Sequence, residues 1–536
     1  MTRRALQGTS ARGPRFQVRA VPELARAVDI PAPVGGWDAI SPLAVMPATS
    51  AVTLDNVFPQ PGYVEIRKGH RLQNLITGAA AVESVMAYHA LATTNDKIFA
   101  ASGTVIYDVT VTTTATVSVA SLSGLANARW QHINFSTSGG NFLWICNGAD
   151  VPHTWNGTVW ATASVTGITA ADIINVAAYS ERIWLVRKDQ INAAYLPTDS
   201  IQGAATVLDL TGVFNKGGSL QAVAAWSRDG GQGPDDYIAF ITTRGEVAIY
   251  SGDPGANFEL AGVYEMGAPI GRRCVTKVGP DVGVVCVDGV VPLSRAINTD
   301  RAAILNASIT AKIQPVMNQS ARDWKDNFGW QLTSYARGTR AILNVPVAAN
   351  SEQRQYVMNT VTGGWCRFLG ENANAWEVWQ DRLFYGGNAG QVVEADCQGF
   401  DYDGAIEFNL ETAFNPCETP GRLKNFTMAR SLLLTDGQTA AGLAVNIDYG
   451  RNATIAGLSF APSAALALWD VAIWDVSLWG EAIRVITDWV AVEGEGSVAS
   501  IHMQGTVEVA SGGSAANAVT FHINGWQMLV TDGAFM

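Results

Sequence analysis

The chain has 536 residues and a formal charge of −12, with 48% hydrophobic and 15% charged residues. That composition excludes a disordered chain, and the length exceeds what one ordinary hydrophobic core serves, so more than one domain is expected. Gly is abundant at 53 and Lys plus Arg low at 35, a balance that suits many turns and few charged helices and raises the prior for an all-β fold.

The charge is uneven. Residues 1–30 carry Arg3, Arg4, Arg12, Arg15, Arg19 and Arg26 against Glu23 and Asp29, a surplus of +4, so the remaining chain carries −16. An acidic body does not suit a protein that wraps nucleic acid, which needs a basic surface to displace counterions. No apolar run is long enough to cross a bilayer, and no apolar segment follows the arginines as in a secretory signal. The six cysteines, Cys146, Cys274, Cys286, Cys366, Cys397 and Cys417, form no C-x-x-C pair and are expected as buried free thiols.

In chain order, residues 1–45 read as a basic arm and extended lead-in, because Pro and Gly in "PAPVGGW" and "SPLAVMPATS" break any periodicity. From 46 onward one hairpin pattern recurs. It is plain in "DKIFAASGTVIYDV" (96–109), "ERIWLVRKDQINAAYL" (181–196), "DYIAFITTRGEVAIYS" (236–251), "DVGVVCVDGVVPLSR" (281–295) and "DRLFYGGNAGQVVEAD" (381–396), with further hairpins starting at Asn141 and Arg340. Successive starts are 45, 40, 55, 45, 59 and 41 residues apart, the period of a β-propeller blade. A ring of about six to eight irregular blades over 46–410 is therefore expected. Stacked radially, each small sheet covers its neighbour and leaves no long free edge.

Residues 308–324 interrupt the pattern with apolar positions at Ile309, Ile313, Val316 and Met317. They predict a short helix, N-capped by Ser308 and kinked or restarted at Pro315, serving as a packed connector. After about 410 the repeat stops, and 411–536 reads as a separate β-sandwich-like domain.

The chemistry is mostly negative. There is no phosphate loop, dinucleotide fingerprint, nucleophile elbow or H-E-x-x-H. His70, His89, His132, His153, His502 and His522 are widely spaced, so no zinc site is expected. "SRDGGQGPDDY" (227–237) begins like the Asp-box turn of sialidase-like propellers but lacks its Thr-Trp, and reads as a surface loop. In "DCQGFDYDG", Asp396, Asp401 and Asp403 offer hard oxygen ligands for an ion, without the spacing of an EF-hand; a polar turn is the simpler reading. Trp469, Trp474 and Trp479 recur every five residues, which suits burial or an interface better than a stacking platform. No catalytic residue, cofactor or resident metal is expected.

The lead-in "PAPVGGWDAISPLAVMPATSAVTLDNVFPQPGYVEIRKGH" (31–70), together with "VMNTVTGGWCRF" (357–368), "DRLFYGGNAGQVVEAD" and the Trp run, resembles the tail nozzle family of short-tailed phages, also called tail tubular protein B or packaged-DNA stabilisation protein. The resemblance is patchy but spans the chain, and its motifs are strand-and-turn patterns. It implies a non-enzymatic virion protein, assembled in the host cytoplasm as a six-fold ring of propellers below the portal and its adaptor. It further implies contacts with fibre, tailspike or needle proteins, and double-stranded DNA passing through the ring. The alternative is a glycan-binding or glycan-degrading propeller of the tail, which would need paired carboxylates facing a pocket.

Overall fold

The computed structural model describes residues 25–78, 80–113, 115–229, 234–299, 301–303, 307–435, 438–451, 455–458, 484–508 and 520–535. The fold is mainly β. Among the described residues helix is confined to short segments, the longest being Gln314–Trp324, and no helix is long and apolar enough to cross a membrane.

All seven expected hairpins are present. Lys97–Ser102 pairs with Val105–Asp108, Gly140–Cys146 with His153–Trp155, and Arg182–Arg187 with Ala193–Tyr195. Pro234–Thr242 pairs with Glu246–Ser251, Asp281–Cys286 with Gly289–Pro292, Arg340–Ala348 with Glu352–Asn359, and Arg382–Gly386 with Gln391–Gln398. The recurring acid has a local role at two of these sites. Ser180-Glu181 and Gln380-Asp381 all have positive φ, between 49° and 56°, and sit between the pairs Tyr179↔Arg182 and Trp379↔Arg382. These are two-residue turns whose twist matches that of the strands they join. Glu181 and Asp381 therefore close the preceding hairpin rather than open the next strand.

The middle strands explain the repetition. In Arg182–Arg187, Ile183 and Leu185 share a core with Trp144 and Cys146 of the preceding sheet. Trp184 and Val186 share one with Ile238 and Phe240 of the following sheet. The alternation repeats in the next sheet, whose Ala239 and Ile241 pack with Val282 and Val284. It also appears earlier, where Phe99 and Ala101 pack with Leu143 and Ile145. Successive side chains point to opposite faces of a strand, and here both faces are buried, each against a neighbouring sheet.

Each sheet begins with a strand lying beside the first strand of the next. The series is Val82–Tyr88, Gln131–Thr137, Ile173–Tyr179, Leu220–Asp229, Val275–Val278, Gln331–Tyr335 and Ala375–Trp379, and the last lies against the first. The seventh sheet is completed by Gly69–Ile76, antiparallel to Gln391–Gln398 with Arg71 opposite Glu394. Val85, Ile98 and Ala100 of the first sheet share a core with Phe384 and Val392 of the seventh.

Pairings cross the boundaries expected at 45 and 410. Ser50–Asp55 pairs with Ile406–Thr412, which pairs with Ala499–Glu508 and, beyond it, Gln438–Ile447. A second sheet joins Val57–Gln60 and Tyr63–Ile66 to Phe521–Phe535 and Arg422–Thr435. Arg26–Pro31 pairs with Phe521–Phe535 over six residues, Arg26 opposite Val530 and Pro31 opposite Gly525. The end of the lead-in is thus a sheet strand, with Val28 and Ile30 buried. Val28, Ile30, Leu54 and Phe58 share one core with Phe408, Leu443, Ile501, Trp526 and Met528.

The connector helix differs from expectation in its start. A 3-10 turn, Ala311–Ile313, leads into Gln314–Trp324, and Pro315 stands in the first turn, where its missing N–H costs nothing. It neither kinks nor restarts the helix. Ser308 is not the cap: its buried hydroxyl donates to the Val290 carbonyl at 3.0 Å and accepts from the Thr310 N–H at 3.2 Å. All six cysteines are unpaired and, apart from half-buried Cys397, buried.

Candidate functional site

Three segments singled out in the sequence, "GGW", "LDN" and "RKGH", converge on a clasp where the N-terminal strands meet residues 355–412. Gly36 has φ +80°, and a Cβ there would lie 2.4 Å from the Trp365 nitrogen. The close approach lets Trp37 pack edge-on against Tyr356 at 5.8 Å. Asp55 accepts two parallel hydrogen bonds from Arg367, from Nε at 2.7 Å and Nη2 at 2.8 Å. The buried Asn56 amide donates to the carbonyls of Leu369 and Glu407 at 3.1 and 2.8 Å, and its oxygen accepts from Arg67 Nε at 3.0 Å.

Arg67 leads to a buried charge network. Its guanidinium holds both oxygens of Asp401, at 2.8 and 2.6 Å, and approaches Glu371 at 3.7 Å. His70 places Nδ1 2.9 Å from Asp401 and Nε2 3.3 Å from Asp403. Burial by itself would lower the His70 pKa, but Asp401, Asp403 and Glu371 outweigh it and hold the imidazolium up to about 9. Burial would raise Asp401, yet His70 and Arg67 bring it down to about 2. Burial lifts the Glu371 carboxyl above its ordinary range despite Arg67.

The expected aspartate trio is split. Asp401 and Asp403 meet at His70, with one ligand atom from each of the three residues within 4.8 Å of the others. Asp396 turns away and pairs with Arg340 at 2.6 Å. A cation there would have to displace the imidazole proton and compete with Arg67 for Asp401. A protonated imidazole has no lone pair to give, and Asp401 is already gripped by a guanidinium. The arrangement serves as a lock between distant segments. Arg67, His70 and Glu371 were not foreseen as members; only the "RKGH" turn marked the place.

A second polar site lies where the first strands converge. A pocket of about 220 Å³ is lined by His132, Asn175, Arg272, Arg273, Gln331 and Glu377, among others. Arg273 donates through Nη2 to the Glu83 carbonyl at 2.8 Å and to Ser84 Oγ at 2.7 Å. Burial pushes Glu377 up to about 8, and burial, with Arg273 nearby, brings His132 down to about 4. Their side chains stand 3.3 Å apart. Glu377 is the one carboxylate among the described residues lining this pocket.

Other sequence features fall elsewhere. Trp469, Trp474 and Trp479 lie outside the described residues, as do 230–233 of the "SRDGGQGPDDY" segment. The strands flanking those residues pair as far as Asp229↔Pro234.

No family model matches the chain, and no curated protein is similar to it. Among solved structures, the extracellular domain of a hybrid two-component system from B. thetaiotaomicron is similar with a TM-score of 0.37 and 10% identity. That match covers 61% of this chain and 39% of the other, so the chain spans about two fifths of that protein's length. U3-55K is similar with a TM-score of 0.36 and 11% identity, over 61% of this chain and 98% of the other. The designed protein Ika8 follows with a TM-score of 0.34 and 10% identity, over 61% and 99%.

Proposed function

We propose that this chain is a structural subunit of a short-tailed phage tail nozzle, a seven-bladed β-propeller whose N- and C-terminal strands build a second β-unit beside it. The observation that carries the reading is the clasp. The segments behind the resemblance, "GGW" at 35–37, "LDN" at 54–56, "RKG" at 67–69 and "GGWCRF" at 363–368, meet one another through a close backbone approach, a two-point ion pair and buried amides. Their chemistry is that of joining, and none is arranged as nucleophile, base or oxyanion donor. The blade reading is supported by the cyclic order of first strands and by the closing strand Gly69–Ile76.

In this reading the DNA path lies between subunits. The pocket where the first strands of one chain converge, about 220 Å³, is far too small for a duplex whose major groove alone is about 12 Å wide. A ring built from one repeated heterologous interface would supply the wider channel, next to a portal adaptor and to fibre or needle proteins. The −16 of residues 31–536 suits a conduit in which carboxylates keep DNA from settling on the wall. Glycan hydrolysis, the competing function, needs two carboxyl groups facing a substrate across a cleft; the pocket between the first strands presents one, and in the cleft lined by Glu65, Glu394 and Asp396 the latter two are tied to arginines.

Electron microscopy of the purified protein, alone and docked to a tail adaptor, tests the proposal. Six-fold rings with an open centre are the expected result. A chain that stays monomeric beside the adaptor, or one that depolymerises surface glycan, defeats it.

A further inference from the structure

A cavity lies at the sheet completed by Gly69–Ile76, apart from the pocket that holds Glu377. It measures about 650 Å³ and is bordered by Lys68 and Arg71, by Arg337 in the turn before the strand Arg340–Ala348 and Arg340 at its start, and by Arg382. Three carboxylates, Glu65, Glu394 and Asp396, also line it, leaving a surplus of two positive charges in a chain whose total is −12.

The carboxylates are already engaged. Glu394 takes both Arg71, at 2.5 Å, and Arg382, at 2.7 and 2.6 Å. Asp396 takes Arg340 at 2.6 Å, and Glu65 accepts from Gln60 at 2.8 Å. The surplus therefore sits on Lys68 and Arg337, both exposed. Among the described residues Arg337 makes a single hydrogen bond, a long one of 3.5 Å to the Asp381 carbonyl. Arg340, 5% exposed at its side chain, keeps a buried Nε without a hydrogen-bond partner.

From this we propose that the cleft is a binding site for a small phosphate-bearing polyanion, such as a polyphosphate or the phosphate chain of a nucleotide. Guanidinium forks held in place by carboxylates meet phosphate oxygens in pairs, and a mobile ammonium adds a point charge at the rim. The volume falls within the range of small-ligand pockets. A bound polyanion would bridge the turn at 335–340 to the strands Gly69–Ile76 and Gln391–Gln398, and so brace the closure of the ring.

The test uses the full chain and inorganic tripolyphosphate as probe, with calorimetry and thermal melting at matched ionic strength. Binding and a rise in melting temperature are expected, since a ligand of the folded state stabilises it by mass action. Lys68→Glu with Arg337→Glu removes the two uncommitted cations without touching the ion pairs. It should weaken binding by about tenfold or more, the equivalent of one lost charge-assisted contact. Lys277→Glu, outside the cleft, should leave binding unchanged and so serves as the charge control. No binding, equal loss in the control, or binding of a polyglutamate peptide without response to tripolyphosphate would each overturn the proposal.

Discussion

The Arg67 guanidinium grips both oxygens of Asp401 at 2.8 and 2.6 Å, joining residues 334 positions apart in the chain. Both side chains are buried, at 1% and 8% exposure. Removing one partner strands a buried charge, which costs about 3–5 kcal/mol, whereas replacing both with apolar groups is far milder. Arg67→Met should therefore lower the melting temperature sharply, and Arg67→Met with Asp401→Leu should recover much of the loss. Non-additivity in that cycle is the readout; two single losses that simply sum would contradict a direct coupling.

His70 makes the same junction sensitive to alkali. Its pKa rises from 6.5 to about 9 on folding. A raised folded pKa gives stability that is complete below about 6.5 and is lost as pH climbs through 9, on the order of 3 kcal/mol for a shift of this size. Asp401 works at the other end: lowered from 3.8 to about 2, it contributes above 3.8 and fails as pH falls through 2. Melting measured from pH 6 to 10 should show the alkaline decline in the natural chain and a flatter profile in His70→Gln. Parallel profiles would remove His70 from the account.

Much of the repeat was legible because a strand buried on both faces writes itself as a short apolar run, and tight turns punctuate it with Gly, Asp and Asn. "RIWLVR" and "YIAFIT" announce their strands for that reason. What no local pattern carries is pairing across the chain. Nothing in "RAVDIP" states that Val530 lies opposite Arg26, and nothing in "DCQGFDYDG" states that Asp401 meets Arg67 while Asp396 meets Arg340. The acid at 181 is visible in the sequence but its role is not, because a positive-φ turn residue and a strand opener both appear as Glu just before an apolar run. Ser308 looked like a cap for a similar reason: its hydroxyl does bond backbone, but that of a neighbouring strand.

Two glycines separate conformational strain from steric contact. Gly36 and Gly62 both have positive φ, +80° and +92°. A Cβ at Gly62 meets nothing within 4 Å, whereas at Gly36 it meets Trp365 and Gly364 backbone at 2.4 to 2.8 Å. Gly62→Ala should cost about 1 kcal/mol, the left-handed penalty for a side chain. Gly36→Ala carries that and must also push the 363–365 segment away, so it should be the more damaging by several degrees of melting temperature. Similar melting of the two variants would mean that the clasp yields freely.

The strand at residues 26–31 gives the end of the N-terminal lead-in a place in a sheet. Arg26 reaches the Cys417 carbonyl at 2.7 Å, Thr419 at 3.1 Å and the Glu418 carboxylate. Val28 and Ile30 enter the shared core at 3% exposure each, opposite Met528 and Trp526. An exposed arm tolerates truncation; a strand with two buried side chains and six paired residues does not. Deleting residues 2–28 removes Arg26, Ala27 and Val28 and leaves the Phe521–Phe535 edge partly uncovered, so it should lower the melting temperature and promote association through that edge. Val28→Asp isolates the core contribution, since it buries an unpaired carboxylate and should destabilise by about 3 kcal/mol or more. Arg26→Ala, which loses half-exposed contacts, should cost about 1 kcal/mol or less. Thermal melting with light scattering on the three variants gives the order. If the deletion melts like the full chain, the strand is dispensable to the fold and the region acts as an arm after all.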